Sequence, residues 1–173
     1  IKEVPFKIPE MDIIKYDPNM KDTNIYEKNV YKDYPNSTKK YRSERMFEKY
    51  CNDSDKIKWF YKNGEHSMDY FSIIYVDAVG KMWAFYPDYI LQDCEGNTWI
   101  IETKGGENTE GESKNIDIKV ENKFAVLKDY AEKNNLKWGF VRDYDKNDSL
   151  YFCNTEYTEK MNGDNWINLK EIL

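Results

Sequence analysis

No stretch of this 173-residue chain comes near the ~20 consecutive apolar residues that a bilayer-crossing helix needs. No apolar segment with a basic flank opens it, so no membrane association is expected and a cytoplasmic location is. Cysteine is scarce. Cys51, Cys94 and Cys153 are odd in number and form no CxxC, which argues against a disulfide framework and against a thiolate zinc site. The single histidine, His66, sits in Asn63-Gly64-Glu65-His66, a turn-like sequence, and one histidine cannot build a His-based metal cluster. No GxxxxGK[ST] loop is present, so any ATP-driven motor would lie outside this chain. A basic excess is missing too: 26 Lys and Arg against 32 Asp and Glu give a net charge of −6, the wrong sign for tight binding to phosphates.

The chain is rich in aromatics (16%) and charge (34%). Its length fits one domain with a real core. Residues 1–37 carry Pro5, Pro9, Pro18 and Pro35 among charges and tyrosines, which suits an extended lead-in or interdomain connection, leaving residues 38–173 as the domain. The chain reads as a fragment of a longer protein. Between Lys39 and Lys62 basic residues outnumber acidic ones: Lys39, Lys40, Arg42, Arg45, Lys49, Lys56, Lys58 and Lys62 against Glu44, Glu48, Asp53 and Asp55. That excess is either a solvated surface or a patch that touches a phosphate backbone.

Hydrophobic periodicity predicts a helix over Tyr41 to Cys51, with Met46, Phe47, Tyr50 and Cys51 on one face and Glu44 and Glu48 on another. Strands are expected at Ile57 to Lys62 and at Tyr70 to Val76, the latter buried on both faces. A hairpin follows from Met82 to Gln92 and Thr98 to Lys104, with a bulge or break where Pro87 removes a ladder donor. Ile116, Val120, Phe124, Leu127 and Ala131 repeat as a buried helical stripe. Lys137 to Tyr144 and Leu150 to Asn154 form a last hairpin, before a loop and a short end at Trp166 to Leu173. The fold class is α/β (α+β), a mixed β-sheet flanked by helices.

The chemistry concentrates in Tyr86-Pro87-Asp88-Tyr89-Ile90-Leu91 and Trp99-Ile100-Ile101-Glu102-Thr103-Lys104-Gly105. If Cys94-Glu95-Gly96 is a three-residue loop ending on a left-handed Gly96, Asp93 pairs with Asn97 and Asp88 faces Glu102. Opposed residues have Cβ atoms roughly 4.5–5.5 Å apart, where like charges repel. A divalent cation such as Mg²⁺ would offset that repulsion. Without it, at least one carboxylate pKa should rise. Lys104 shares the Glu102 face about 6–7 Å further along, so it relieves only part of the repulsion, while Thr103 points away. The bland alternative is a solvated strand face with a weak cross-strand ion pair.

Pro87-Asp88 and Glu102-Thr103-Lys104 resemble the two halves of the PD-(D/E)xK nuclease motif. With Ser43-Glu44-Arg45-Met46-Phe47, Lys58-Trp59-Phe60-Tyr61-Lys62-Asn63 and the helix around Lys119 and Lys123, the chain from roughly Tyr41 to Phe152 resembles the C-terminal endonuclease domain of type III restriction enzyme nuclease-helicase subunits. The resemblance implies a restriction-endonuclease-like αβββαβ core and a hydrolase of DNA phosphodiester bonds. It implies Asp88 and Glu102 as Mg²⁺ ligands (Mn²⁺ substituting), the Thr103 carbonyl as a further ligand, and Lys104 acting on the water or phosphate. Glu44 would complete the metal site, with Glu48 one turn later as fallback. Lys119 and Lys123 would lie near DNA. The implied partners are DNA, a helicase/ATPase region of the same protein and a methyltransferase/specificity subunit. The long acidic loop Gly105 to Asn115 departs from the pattern. Two other readings remain: a catalytically idle DNA-positioning or interaction module, and a related repair or transposition nuclease.

Overall fold

The computed structural model describes residues 26–30, 41–66 and 68–173. Helix α1 (Arg42–Asp53) leads into strands β1 (Ile57–Lys62), β2 (Ile73–Val76), β3 (Met82–Phe85), β4 (Tyr89–Asp93) and β5 (Thr98–Glu107). Helix α2 (Val120–Lys133) and strands β6 (Lys137–Tyr144), β7 (Ser149–Cys153) and β8 (Ile167–Asn168) follow, and a 3₁₀ turn (Leu169–Glu171) lies near the end. Six strands form one sheet in the order β1-β4-β5-β6-β7-β8, while β2 and β3 pair separately. All neighbours in the large sheet are antiparallel except β5 and β6. That pair is parallel because α2 carries the chain back across the sheet, as parallel neighbours require. The fold is α+β, and with β2-β3 as an insertion its central elements run αβββαβ.

Alternation along the central strands sorts the core onto two faces. Ile90 and Ile100 point to the side covered by Phe124, Leu127 and Ala131 of α2, with Trp138 and Phe140. Tyr89, Leu91, Trp99 and Ile101 point to the other side, against Phe47 and Cys51 of α1. Part of the predicted lead-in joins this second core. Tyr26 meets Phe60 with ring centroids 5.9 Å apart, and Phe60 exchanges backbone hydrogen bonds with Lys28 and Val30 along the edge of β1. The rest of the lead-in, with Lys39 and Lys40, lies outside the described residues.

The hairpin between β4 and β5 has the predicted register. Tyr89 pairs with Ile101 and Leu91 with Trp99, Gly96 adopts φ 88°, and the Asp93 amide donates to the Asn97 carbonyl at 3.0 Å. Three expectations need correction. The strand predicted from Met82 to Gln92 breaks at Tyr86-Pro87-Asp88, as expected at Pro87, but its first half leaves the large sheet to pair with β2. The strand predicted from Tyr70 starts only at Ile73 and alternates, with Ile73 and Tyr75 buried and Val76 exposed, because a two-stranded sheet is covered on one face only. Ile116 is not core. It is 92% exposed, since the Asp117 carbonyl and carboxylate accept the amides of Val120 and Lys119 in a turn that delays the helix to Val120.

Candidate active site

Asp88 immediately precedes β4, opposite the stretch of β5 that runs past the end of the β4 pairing. Its position is set by Asn63, a buried residue just past β1. The Asn63 amide donates to the Asp88 carbonyl at 2.8 Å, and its Nδ2 donates to the carbonyls of Pro87 and Phe71. The Asp88 carboxylate then turns onto β5. Its Oδ2 accepts from the Thr103 amide and the Thr103 hydroxyl, both at 2.8 Å, and the Asp88 amide donates to Glu102 Oε2 at 3.2 Å. Asp88 and Glu102 therefore lie together, as the hairpin count predicts. Thr103 does not point away. Asp88 stands outside the strand, where alternation no longer dictates its direction, and the threonine hydroxyl reaches it.

Two lysines neutralise the pair. Lys104 is closer than its strand position suggests, because its long side chain folds back: Nζ lies 2.9 Å from Glu102 Oε1 and 3.0 Å from Asp117 Oδ2. Lys62, at the end of β1 and paired with Tyr89 across the strands, places Nζ 2.9 Å from Asp88 Oδ1 and 2.9 Å from Glu44 Oε1. The same nitrogen stands 4.7 Å from the centroid of the Tyr89 ring. Lys123 completes the group with an ion pair to Asp117 Oδ2 at 2.7 Å. Four carboxylates thus face three ammonium groups.

Burial sets the protonation of these groups. It disfavours charge on Asp88, but Lys62 and the Thr103 amide outweigh it and hold the carboxyl below its ordinary range. Glu102 is pushed up to about 8, first by burial and then by the charge on Asp88, against the pull of Lys104. Burial works against the charge on Lys104 and Lys62 as well. Glu102 and Asp88 nevertheless raise Lys104, and Asp88 and Glu44 raise Lys62. Both remain ammonium ions throughout the neutral range, suited to stabilising charge rather than to removing a proton.

Glu44, Asp88, Glu102, Thr103, Lys104, Asp117 and Lys123 line a cavity of about 490 Å³, bounded also by Arg42, His66, Lys114, Ile116 and Asp143, with Lys62 behind its wall. Among the lysines of α2 and its approach, Lys123 lines it and Lys119 does not. Lys119 Nζ instead stacks 3.2 Å from the centroid of Trp83. Glu44 has both oxygens engaged, Oε1 by Lys62 and Oε2 by the Tyr41 amide at 2.8 Å. Glu48 is fully buried and accepts from the Tyr89 hydroxyl at 2.7 Å. His66 lies in a turn at φ 62°. Arg42, from the basic stretch, turns away from any patch toward Asp143, Asp145 and Asp148.

The donor set suits a hard divalent cation. Asp88 Oδ1 and both Glu102 oxygens each hold one hydrogen-bond donor, so lone pairs remain, and excess negative charge raises Glu102. Among the described residues no three His, Cys, Asp or Glu side chains form a group that could hold a metal ion; the carboxylate donors here are two. Asn63, Lys62 and Asp117 were not singled out from the sequence as site residues. The signals were the Lys58 to Asn63 stretch, which enters the resemblance with no role given to its residues, a lysine ending an alternating strand and an acidic residue three before a helix. Among the described residues no helix is long and apolar enough to cross a membrane. No protein-family model, curated protein or solved structure matches this chain.

Proposed function

We propose that this chain is a Mg²⁺-dependent endonuclease domain that hydrolyses DNA phosphodiester bonds, of the kind carried by type III restriction enzyme nuclease-helicase subunits. The observation that carries the reading is the convergence of Asp88, Glu102, Thr103 and Lys104 in one cavity, of which the meeting of Asp88 and Glu102 follows from a sequence count. Asp88, Glu102 and the Thr103 carbonyl would hold the ion. Bound Mg²⁺ supplies a water of lowered pKa and positive charge for a phosphoryl oxygen. Lys104, kept protonated by Glu102 and Asp117, donates to the scissile phosphate as charge builds there. Lys123 lies on the same wall and offers a second ammonium to a phosphate. With a net charge of −6, the domain relies on the helicase region and specificity subunit of a larger assembly for sequence recognition. ATP would act only there.

The test is plasmid nicking by wild type, Glu102→Ala and Lys104→Ala in Mg²⁺, Mn²⁺ and chelator, with folding checked by circular dichroism. Cleavage should require metal and vanish in both variants. Full cleavage by folded Glu102→Ala would overturn the assignment. The idle-module reading is favoured by one feature, that every carboxylate of the site already has a lysine partner. It requires no cleavage by the wild type in any assembly.

A further inference from the structure

Building on that reading, we infer that Lys62 is a built-in replacement for a second cation, and that the site takes one divalent ion with Glu44 outside its shell. Lys62 lies between Glu44 and Asp88 at 2.9 Å from each, where an ion shared by those two carboxylates would have to be. The ammonium is not a chance surface contact. Its side chain is 12% exposed, those of Asp88 and Glu44 are 12% and 13%, and the Tyr89 ring closes one side. Glu44 has a second commitment, since its Oε2 accepts the Tyr41 amide and so closes the first turn of α1. Moving it onto a metal would break the start of the helix and leave the buried Lys62 with Asp88 alone.

The charge count agrees. With Glu102 ionised, as metal binding requires, Glu44, Asp88, Glu102 and Asp117 against Lys62, Lys104 and Lys123 leave one net negative charge. One divalent ion turns that into one net positive charge, which a phosphodiester then neutralises. A second ion would leave the pocket with three positive charges before substrate arrives. Lys62 is thus a positioning residue: it fixes the orientation of Asp88, freeing one lone pair of Oδ1 for the single ion while Thr103 occupies Oδ2.

Mn²⁺ binding to the metal-free protein by calorimetry and by paramagnetic resonance decides the matter without any activity measurement. The wild type should bind one Mn²⁺. Glu44→Gln, which can still accept from Lys62 through its amide oxygen, should bind one Mn²⁺ with affinity unchanged, and Lys62→Gln should admit a second ion. Two ions on the wild type, or a loss of affinity beyond roughly tenfold in Glu44→Gln, overturns the inference while leaving the nuclease reading intact. A folded Lys62→Gln that still takes one ion also overturns it. Absence of any Mn²⁺ binding to the wild type overturns both. If Lys62→Gln does not fold, the wild-type stoichiometry and Glu44→Gln still decide.

Discussion

Asp117 Oδ2 sits 3.0 Å from Lys104 Nζ and 2.7 Å from Lys123 Nζ, so one carboxylate from the approach to α2 holds two ammonium groups of the cavity wall. Its other oxygen accepts the Lys119 amide at 3.0 Å, which ties the carboxylate to the start of the helix. The Asp117 carboxyl is driven well below its ordinary range despite burial, by Lys123, the Lys119 amide and Lys104.

Asp117→Asn keeps an oxygen for the Lys119 amide but loses the charge that draws the two lysines. Cleavage by this variant should fall roughly tenfold or more, the usual cost of removing an outer orienting group, while the melting temperature moves little. Parallel plasmid cleavage and thermal melts check it. Wild-type rates in Asp117→Asn would show that Lys104 orients itself through Glu102 alone.

The two carboxylates of the predicted repelling pair are not equivalent, and their isosteric variants should move stability in opposite directions. Asp88 is satisfied by Lys62 and twice by Thr103, so Asp88→Asn leaves Lys62 with Glu44 only. Breaking a buried pair costs about 3–5 kcal/mol; a shared lysine places this one near the lower end, a fall of roughly 10 °C in a domain of this size. Glu102→Gln removes a charge that burial and Asp88 disfavour, and should melt at or above the wild type in chelator. A lower melt for Glu102→Gln than for Asp88→Asn would reverse the assignment of the strained member. Opposed carboxylates alone suggest that Asp88→Asn should stabilise. The lysine that changes this, Lys62, comes from a third strand.

The same asymmetry predicts a pH dependence. Glu102 has an ordinary value of 4.5 and stands at about 8 in the fold, so the folded state holds a proton that the unfolded chain has released. That contribution is complete below 4.5 and is lost as pH rises through about 8. Metal-free wild type should therefore lose stability across this interval relative to Glu102→Gln. Saturating Mg²⁺ needs the ionised carboxylate and should flatten the difference. Melts of both proteins across the interval, with chelator and with metal, measure it. Parallel curves in chelator would place the excess proton elsewhere.

Local signals carried much of the fold and the heart of the site. The Asp93 to Asn97 turn fixes the register because Gly96 supplies the left-handed residue and Asp93 collects the amides of Glu95 and Asn97, all within a few residues of sequence. Asp88 and Glu102 follow by counting. Lys62 and Asn63 were illegible as site residues because β1 pairs with β4 across the β2-β3 insertion, and no local pattern announces which strand lies beside Asp88. Ile116 misled because an isoleucine at helical spacing precedes the turn that Asp117 imposes. The acidic loop gave no signal either. It is shaped by Asn108, whose side-chain oxygen accepts the amides of Glu110 and Glu112.

A buried anchor stands behind that loop. Asp143 is fully buried on β6. Its Oδ1 accepts the Gly106 amide at 2.8 Å, and its Oδ2 pairs with Arg42 Nη1 at 2.8 Å and with Lys114 Nζ. One carboxylate thus joins α1, the strand that carries Lys104, and the loop beyond it. Burial opposes its charge, but Lys114, Arg42 and the Gly106 amide hold its pKa below the ordinary 3.8. The stabilisation is therefore present above 3.8 and lost as pH falls through the lower folded value. Asp143→Asn should cost about 3–5 kcal/mol at neutral pH, as for other broken buried pairs. Gly106→Ala should be destabilising as well, because a Cβ there would come 1.5 Å from the Asp143 carbonyl oxygen. Urea denaturation at neutral pH and in acid below 3.8 tests the electrostatic part: the gap between wild type and Asp143→Asn should narrow in acid, whereas the gap to Gly106→Ala, which is steric, should not. If the Asp143→Asn gap persists in acid, shape rather than charge holds the three elements together.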